Sequence, residues 1–294
     1  MSKSPESFIF PFPKLNEMAL KKCKDNLIHI PTNRKNKDGD IEKIPCLFKG
    51  NPKSKNILII FHCNGVDMLY AFYHYRYLCE KYKINLLFPE YPGYSIYDSP
   101  LSSEKCLENS LIIYDYILNH IKNITEKNIY ILSRSLGTGI AVYLSSKRNP
   151  AGVFLVSPYT TFADVAKRFH SKEFSQALSN HFRSIDYIDK VKCPLFIIHG
   201  TNDQLIDYNE AKKLYEKNNG KIKEIKFIEG MGHNDIHYFD LENYIVQFIN
   251  KYCPLDNTEN SKENEFSFDD KELFILPDKV KKIIIVTINT LESI

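Results

Sequence analysis

The sequence predicts an α/β fold: a mostly parallel central sheet with helices on both faces, a short helical cap and a C-terminal extension. Three observations carry this reading. Apolar strand-like runs alternate with amphipathic stretches from about residue 56 to residue 251, the signature of a parallel sheet covered on both sides. The turn Ser133-Arg134-Ser135-Leu136-Gly137 lies between one apolar run, Ile129–Leu132, and a helix-like one, Ile140–Leu144. Further on, Asp203 closes a later apolar run, and His233 follows in a glycine-flanked loop.

Taken along the chain, Phe8–Pro13 is broken by proline. Two apolar pieces, Asn26–Pro31 and Ile41–Phe48, flank Asn36-Lys37-Asp38-Gly39-Asp40 and read as a hairpin opening the sheet. Strands are expected at Asn56–His62, Ile84–Pro89, Asn128–Leu132, Gly152–Ser157, Pro194–His199 and Glu224–Ile228. The helices between them are expected at Asp67–Tyr82, Ser103–His120, Ser135–Lys147, Asn209–Lys217 and Asp235–Lys251. Tyr159–Lys192 exceeds a simple crossover, so it reads as one helix plus a compact cap carrying Phe162, Phe169, Phe174, Leu178 and Phe182. The expected division is an α/β domain over 1–253 with its cap at about 159–192, a polar linker over 254–270 and an apolar extension over 271–294. In the extension, Val280, Ile283, Ile284, Thr287, Ile288 and Leu291 have helical spacing, while Ile283–Ile288 also has high β-propensity; both conformations stay open.

The motif order carries the chemistry. A sharp strand-to-helix turn with a central Ser lifts its Oγ above the sheet edge, and the order Ser, Asp, His is that of the α/β-hydrolase fold. A Ser hydroxyl is a weak nucleophile until a base takes its proton. Ser135 is therefore the expected nucleophile, His233 the base and Asp203 the acid that orients it. Asp207 is given the role of capping the next helix, where an acid is favourable in any case. The tetrahedral intermediate needs an oxyanion hole. One donor is expected from the backbone N–H of Leu136, the other from the loop Phe61-His62-Cys63-Asn64-Gly65, with Asn64 N–H the choice and Cys63 the alternative. Each element has an ordinary counterpart: most Ser-x-Ser-x-Gly turns are only turns, and Cys63 and His237 read as loop and surface residues. Their joint order at strand ends is what makes the set specific.

Composition narrows the rest. The chain has 294 residues, 43% hydrophobic and 26% charged, ordinary for a globular protein able to bury roughly three quarters of its unfolded surface. A net charge of +3 with scattered lysines gives no case for nucleic acid. Seven dispersed cysteines (23, 46, 63, 79, 106, 193, 253) without Cys-x-x-Cys spacing predict neither disulfides nor a metal site, and no cofactor is expected. The first residues lack a signal-peptide apolar region, Ser2 excludes myristoylation, and no run is long enough to span a bilayer. A cytoplasmic location is the expectation.

From about Ile57 to Ile249 the chain resembles the α/β-hydrolase-domain serine hydrolases grouped with the protein depalmitoylases of the α/β-hydrolase-domain 17 type. Phe61-His62-Cys63-Asn64-Gly65-Val66-Asp67 is similar to their His-Gly-Asn-Ala-x-Asp loop, and Glu90-Tyr91-Pro92-Gly93-Tyr94-Ser95 to their Asp-Tyr-x-Gly-Tyr-Gly turn. The elbow Ser133–Thr138, the acid segment His199–Asp207 and the base segment Gly232–Ile236 also match. The resemblance implies Ser135, Asp203 and His233 as the triad, and ester or thioester hydrolysis. Cys63 and Ser133 stand where the family has glycine, and Met1–Pro13 has none of the cysteines that are acylated in those enzymes.

The leading expectation is a serine hydrolase acting through an acyl-enzyme on a small acyl ester or an acylated protein, with no nucleic-acid partner and no transmembrane segment. The alternative is a catalytically weak member retained as a structural or interaction subunit, favoured by the two replaced glycines and by an extension able to dock on a protein partner. Peptidase action comes third, since the short cap offers no visible peptide groove.

Overall fold

An eight-stranded sheet lies at the centre of the protein, whose computed structural model describes residues 15–235 and 238–256 together with 273, 275, 280 and 281. Strands β1 (Leu27–Lys35) and β2 (Ile41–Lys49) pair antiparallel, and β2 pairs antiparallel with β4 (Asn85–Pro89). From β4 the sheet is parallel through β3 (Ile57–Phe61), β5 (Ile129–Arg134), β6 (Gly152–Val156), β7 (Leu195–Gly200) and β8 (Lys223–Ile228). The expected hairpin and parallel strands are all present, each within a few residues of its expected bounds. Gly39, at φ +87°, makes the hairpin turn, and the Asn36 side chain accepts from the amides of Asp38 and Asp40.

The strand sequences explain the layering. β3, β4, β6 and β7 are buried along their whole length, which a parallel sheet with helices on both faces demands. Side chains alternate between faces, so Ile57, Ile59 and Phe61 enter one core while Leu58 and Ile60 enter the other. Helices α4 (Ser103–His120), α5 (Leu136–Lys147) and α8 (Tyr208–Lys217) cover the first face. Helices α1 (Glu17–Lys22), α2 (Met68–Tyr75), α3 (Leu78–Tyr82) and α9 (Tyr238–Tyr252) cover the second. Ser102 caps α4, its Oγ accepting from Lys105 N at 3.2 Å, and Asp67 caps α2 through Tyr70 N at 2.9 Å.

Four expectations are corrected. The single helix over 67–82 is two, α2 and α3, joined at Arg76–Tyr77. Ser135 is not helical: α5 begins at Leu136. The last helix begins at Tyr238 rather than Asp235, with residues 236–237 outside the described set. Between β6 and β7 there is no full crossover helix but two short ones, α6 (Phe162–Ala166) and α7 (Lys172–Ala177), and two 3₁₀ turns, Ser184–Asp186 and Ile188–Lys190. Leu178 and Phe182 are buried there and Phe169 is exposed, so most but not all of the aromatic content is packing. The N-terminal helix α1, capped by Asn16, was not expected.

The chain leaves α9 along the sheet, where Tyr130 donates to Cys253 O at 2.9 Å and Asn56 bonds both backbone groups of Asp256. Beyond it, Leu273 is buried in the first core and Val280 in the second. Ile284, Ile288 and Leu291 of the extension's apolar stripe lie outside the described residues, as do Phe8–Pro13 and the linker from residue 257 to 270.

One buried group sets a stability test. His29, on β1, is 2% exposed, and neither ring nitrogen has a hydrogen-bond partner among the described residues. Burial, with Lys43 adding repulsion, pushes its pKa down from 6.5 to about 4. Between those values the unfolded chain binds a proton that the folded chain refuses, so stability falls as pH falls through that window. His29→Leu should flatten this acid limb in a series of melting temperatures taken from pH 7 to pH 4. An unchanged limb would mean that other groups govern acid unfolding.

Candidate active site

The elbow is built by a backbone collision that only glycine avoids. A Cβ on Gly137 would lie 2.5 Å from Phe61 O and 2.8 Å from His62 O, so the first turn of α5 rests directly on the end of β3. Chain reversal in so short a space puts Ser135 at φ 51°, ψ −119°, a conformation that costs a non-glycine residue of order 1–3 kcal/mol. Fixed contacts hold it there: Ser135 N donates to Val156 O at 2.9 Å, and Thr138 donates to Ser135 O from both its amide (2.9 Å) and its hydroxyl (2.6 Å).

The two replaced glycines do not disturb this. Neither Ser133 nor Cys63 is among the residues with positive φ, so a Cβ carries no conformational penalty at either place. Ser133 is a buried residue of β5 whose Oγ donates to Phe154 O at 3.3 Å. Cys63 is the only cysteine not fully buried; its burial raises the thiol pKa, an effect the Arg134 charge opposes. A protonated thiol off the elbow has no nucleophilic role.

Asp203 and His233 are brought together by a second close approach. A Cβ on Gly200, the last residue of β7, would meet Met231 O at 2.1 Å, and Asn202 N donates to the same carbonyl at 3.0 Å. The turn after β7 is thereby fastened to the loop after β8. Asp203 Oδ1 accepts from Leu205 N (2.9 Å) and Ile206 N (2.8 Å). Its Oδ2 accepts from His233 Nδ1 at 2.7 Å and from His199 Nε2 at 3.2 Å. Burial alone raises the carboxyl pKa, but the two histidines and the backbone donors outweigh it and hold Asp203 well below the usual carboxylate range. Asp207 stands apart: it caps α8 through Asn209 N and pairs with Arg168 at 3.4 Å.

Ser135, Asp203 and His233 follow the C-terminal ends of β5, β7 and β8, strands that run parallel in one sheet. Ser135 Oγ makes no hydrogen bond to the His233 ring, a contact that hydrolases in the unliganded state often complete only with substrate. Arg134, which sequence reasoning passed over, links the parts instead. It donates to His233 O (2.6 Å) and Asn234 Oδ1 (3.0 Å), and its other guanidinium nitrogen lies 3.7 Å from Cys63 Sγ. A long cation beside the elbow Ser was the only signal for it.

Leu136 N–H heads α5, where helix amides have no acceptor within the helix. Asn64 is held by its side chain, whose Oδ1 accepts from Tyr94 OH at 2.8 Å and from Gly65 N at 3.1 Å. Behind this loop His62 and Glu90 form a wholly buried pair, Nε2 to Oε1 at 3.1 Å. Among the described residues no group of three His, Cys, Asp or Glu is arranged to hold a metal. A wider cleft of about 810 Å³ between α1 and α2 is lined by residues such as Met18, Tyr73 and Arg76, and by none of the residues above.

Known proteins resemble this chain at three levels. A family model described as serine aminopeptidase, S33, matches residues 183–238, which include Asp203 and His233. A protein of Acanthamoeba polyphaga mimivirus named as an α/β hydrolase is 29% identical over 238 residues, covering 80% of this chain and 89% of its own. The α/β hydrolase domain-containing protein 17C of Xenopus laevis is 32% identical over 71% of this chain and 66% of its own, so the chain spans about two thirds of its length. The human 17B protein is 30% identical over 67% of each chain. An esterase of Pyrococcus furiosus superposes with a TM-score of 0.65 over 84% of this chain and 98% of its own, at 16% identity, which speaks for the fold alone. With the fold shared and relatives of this identity covering two thirds of their length, the chain belongs to the family of α/β hydrolase domain-containing protein 17.

Proposed function

We propose that the protein is a serine hydrolase cleaving an ester or thioester through an acyl-enzyme, with Ser135 as nucleophile, His233 as base and Asp203 as its acid partner. A hydrolase is what the family and the fold support. The finer reading rests on one observation above all: a buried carboxylate 2.7 Å from His233 Nδ1, with the His233 loop tied back to Arg134, the neighbour of the strained Ser135. By accepting from Nδ1–H, Asp203 leaves the lone pair on Nε2, the nitrogen that must receive the Ser135 proton.

In this mechanism Ser135 Oγ attacks the acyl carbon while His233 Nε2 takes the hydroxyl proton. The carbonyl π-electrons move to oxygen, and the N–H groups of Leu136 and Asn64 stabilise the oxyanion. Its collapse expels the alkoxide or thiolate, which takes the proton from His233, leaving an acyl-Ser135 ester. Water repeats the sequence: His233 removes its proton, the acid departs and Ser135 is regenerated. The substrate is a small acyl ester or an acylated protein, met in the cytoplasm; no helix among the described residues is long and apolar enough to cross a membrane. The subunit reading drew on Cys63 and Ser133 and on the C-terminal extension; the ordinary backbone at Cys63 and Ser133 removes the first support, while most of the extension lies outside the described residues.

A fluorophosphonate probe should label Ser135 alone, mapped by mass spectrometry, and Ser135→Ala should remove the label with the fold retained. Strong labelling of that variant would sink the assignment. His233→Ala and Asp203→Asn should each lower turnover by about 10⁴-fold, and the double variant little further, because triad members act as a unit. Asp207→Asn should keep near wild-type turnover, since Asn also caps helices well; a loss as deep as that of Asp203→Asn would reverse the roles. Because Cys63 sits on unstrained backbone, Cys63→Gly should not raise turnover, and a clear gain would show that its side chain obstructs the site.

A further inference from the structure

We propose that the buried His62–Glu90 pair is a positioning device for the oxyanion hole, fixing the peptide plane between Cys63 and Asn64 and so aiming the Asn64 N–H. The inference rests on the reading of the protein as a serine hydrolase and adds to it the group that sets the hole's geometry.

The argument is one of peptide planes. Every peptide among the described residues is trans, so the C=O of one residue and the N–H of the next point in opposite directions from a single rigid plane. His62 Nδ1 lies 3.0 Å from Cys63 O. Whatever holds that carbonyl holds Asn64 N–H facing the other way. One plane earlier, Tyr91 OH donates to His62 O at 2.7 Å, which fixes the Cys63 N–H, the alternative donor. Both candidate donors are thus set from behind, by side chains that themselves never reach the substrate.

The device is anchored in the core. Glu90 is 1% exposed, and its Oε1 meets His62 Nε2 (3.1 Å) and Tyr91 N (2.9 Å) while Oε2 accepts from Met68 N at the start of α2 (3.1 Å). The Tyr91 ring lies against the imidazole, 3.9 Å between centroids and tilted by 30°. Proton counting ties the pieces together. Nδ1 faces a carbonyl and Nε2 faces a carboxyl, two acceptors for one ring, so a proton must also lie between Nε2 and Glu90 Oε1. With that proton on either partner, the other nitrogen keeps its N–H for Cys63 O. Burial, against the pull of His62, raises the Glu90 carboxyl above its ordinary range, which suits a shared proton. The loop abuts the nucleophile, because Phe61 O and His62 O are the atoms that exclude a Cβ from Gly137, two residues past Ser135.

The test is the turnover of p-nitrophenyl butyrate by full-length variants, with fluorophosphonate labelling rates measured alongside. His62→Leu should lower kcat and the labelling rate, up to the about 100- to 1,000-fold that an oxyanion donor commands, with KM little changed. His62→Asn places an amide N–H near the Nδ1 position and should recover most of the loss. His62→Gln, of similar polarity but reaching toward Glu90, should not. Should His62→Leu fail to fold, the Asn and Gln pair decides alone. Wild-type kcat in a folded His62→Leu, a loss confined to KM, or Asn no better than Gln would each overturn the inference. Failure of wild-type Ser135 to label would instead count against the hydrolase reading itself, so the two failures are told apart.

Discussion

The contact between Gly137 and the backbone carbonyls of Phe61 and His62 governs the geometry of this site. Side chains yield to pressure by changing rotamer, but two main chains in contact do not. Once the first turn of α5 lies on the end of β3, the distance between Ser135 and the loop Phe61–Gly65 is no longer adjustable. The unfavourable φ of Ser135 follows from the same constraint, since the chain must leave β5 and enter α5 with no intervening loop. The strain is held by the surroundings: Ser135 is pinned through Val156 on the neighbouring strand, and α5 is buried along most of its length.

A rigid base is needed for that, and the doubly covered sheet supplies it. The central strands have no solvent face, so shifting one would move apolar side chains on both sides at once. Function then sits where the strands stop and backbone becomes irregular. There, local fastenings take over from the ladder: Gly200 against Met231, Arg134 across to His233, Tyr94 to Asn64. Each joins the end of one strand to the loop beyond another, so that loops which would move independently form one frame.

What could be read from the sequence divides along physical lines. Most of the parallel strands were legible because buried strands are short apolar runs, and Ser135, Asp203 and His233 stood out because each closes or follows a strand. Asp207 was separable from Asp203 because it opens the next helix, where an acid is favourable at the N-terminus. Less was visible where partners are distant in sequence. Glu90 reads as one more acid at a strand end until His62, 28 residues earlier, is seen against it. The break between α2 and α3 has no proline or glycine to mark it, and α1 buries only Leu20, too little apolar periodicity to register. The stretch between β6 and β7 misled because its aromatics pack as separate turns, not as one helical face.

Hydrogen-bond acceptors give a different pattern of partners to each of three histidines near the site. His199 Nε2 faces two acceptors, Asp203 Oδ2 and Ile206 O at 3.0 Å, while its buried Nδ1 faces none. A proton on Nε2 satisfies both acceptors, so the ring serves Asp203 as a donor through that nitrogen. His62 has an acceptor at each nitrogen and shares an added proton with Glu90. His233 has its acceptor at Nδ1 alone, leaving Nε2 uncommitted among the described contacts. Asp203 therefore lies between a donor with no acceptor at its second nitrogen and one whose second nitrogen is uncommitted among the described contacts. A carboxylate held this way offers its negative charge where it is useful only when His233 becomes cationic, which is the moment Ser135 would lose its proton. The same residue type thus furnishes a fixed donor, the proposed loop clamp and the proposed base, and what separates the three is the number and placement of oxygens around each ring.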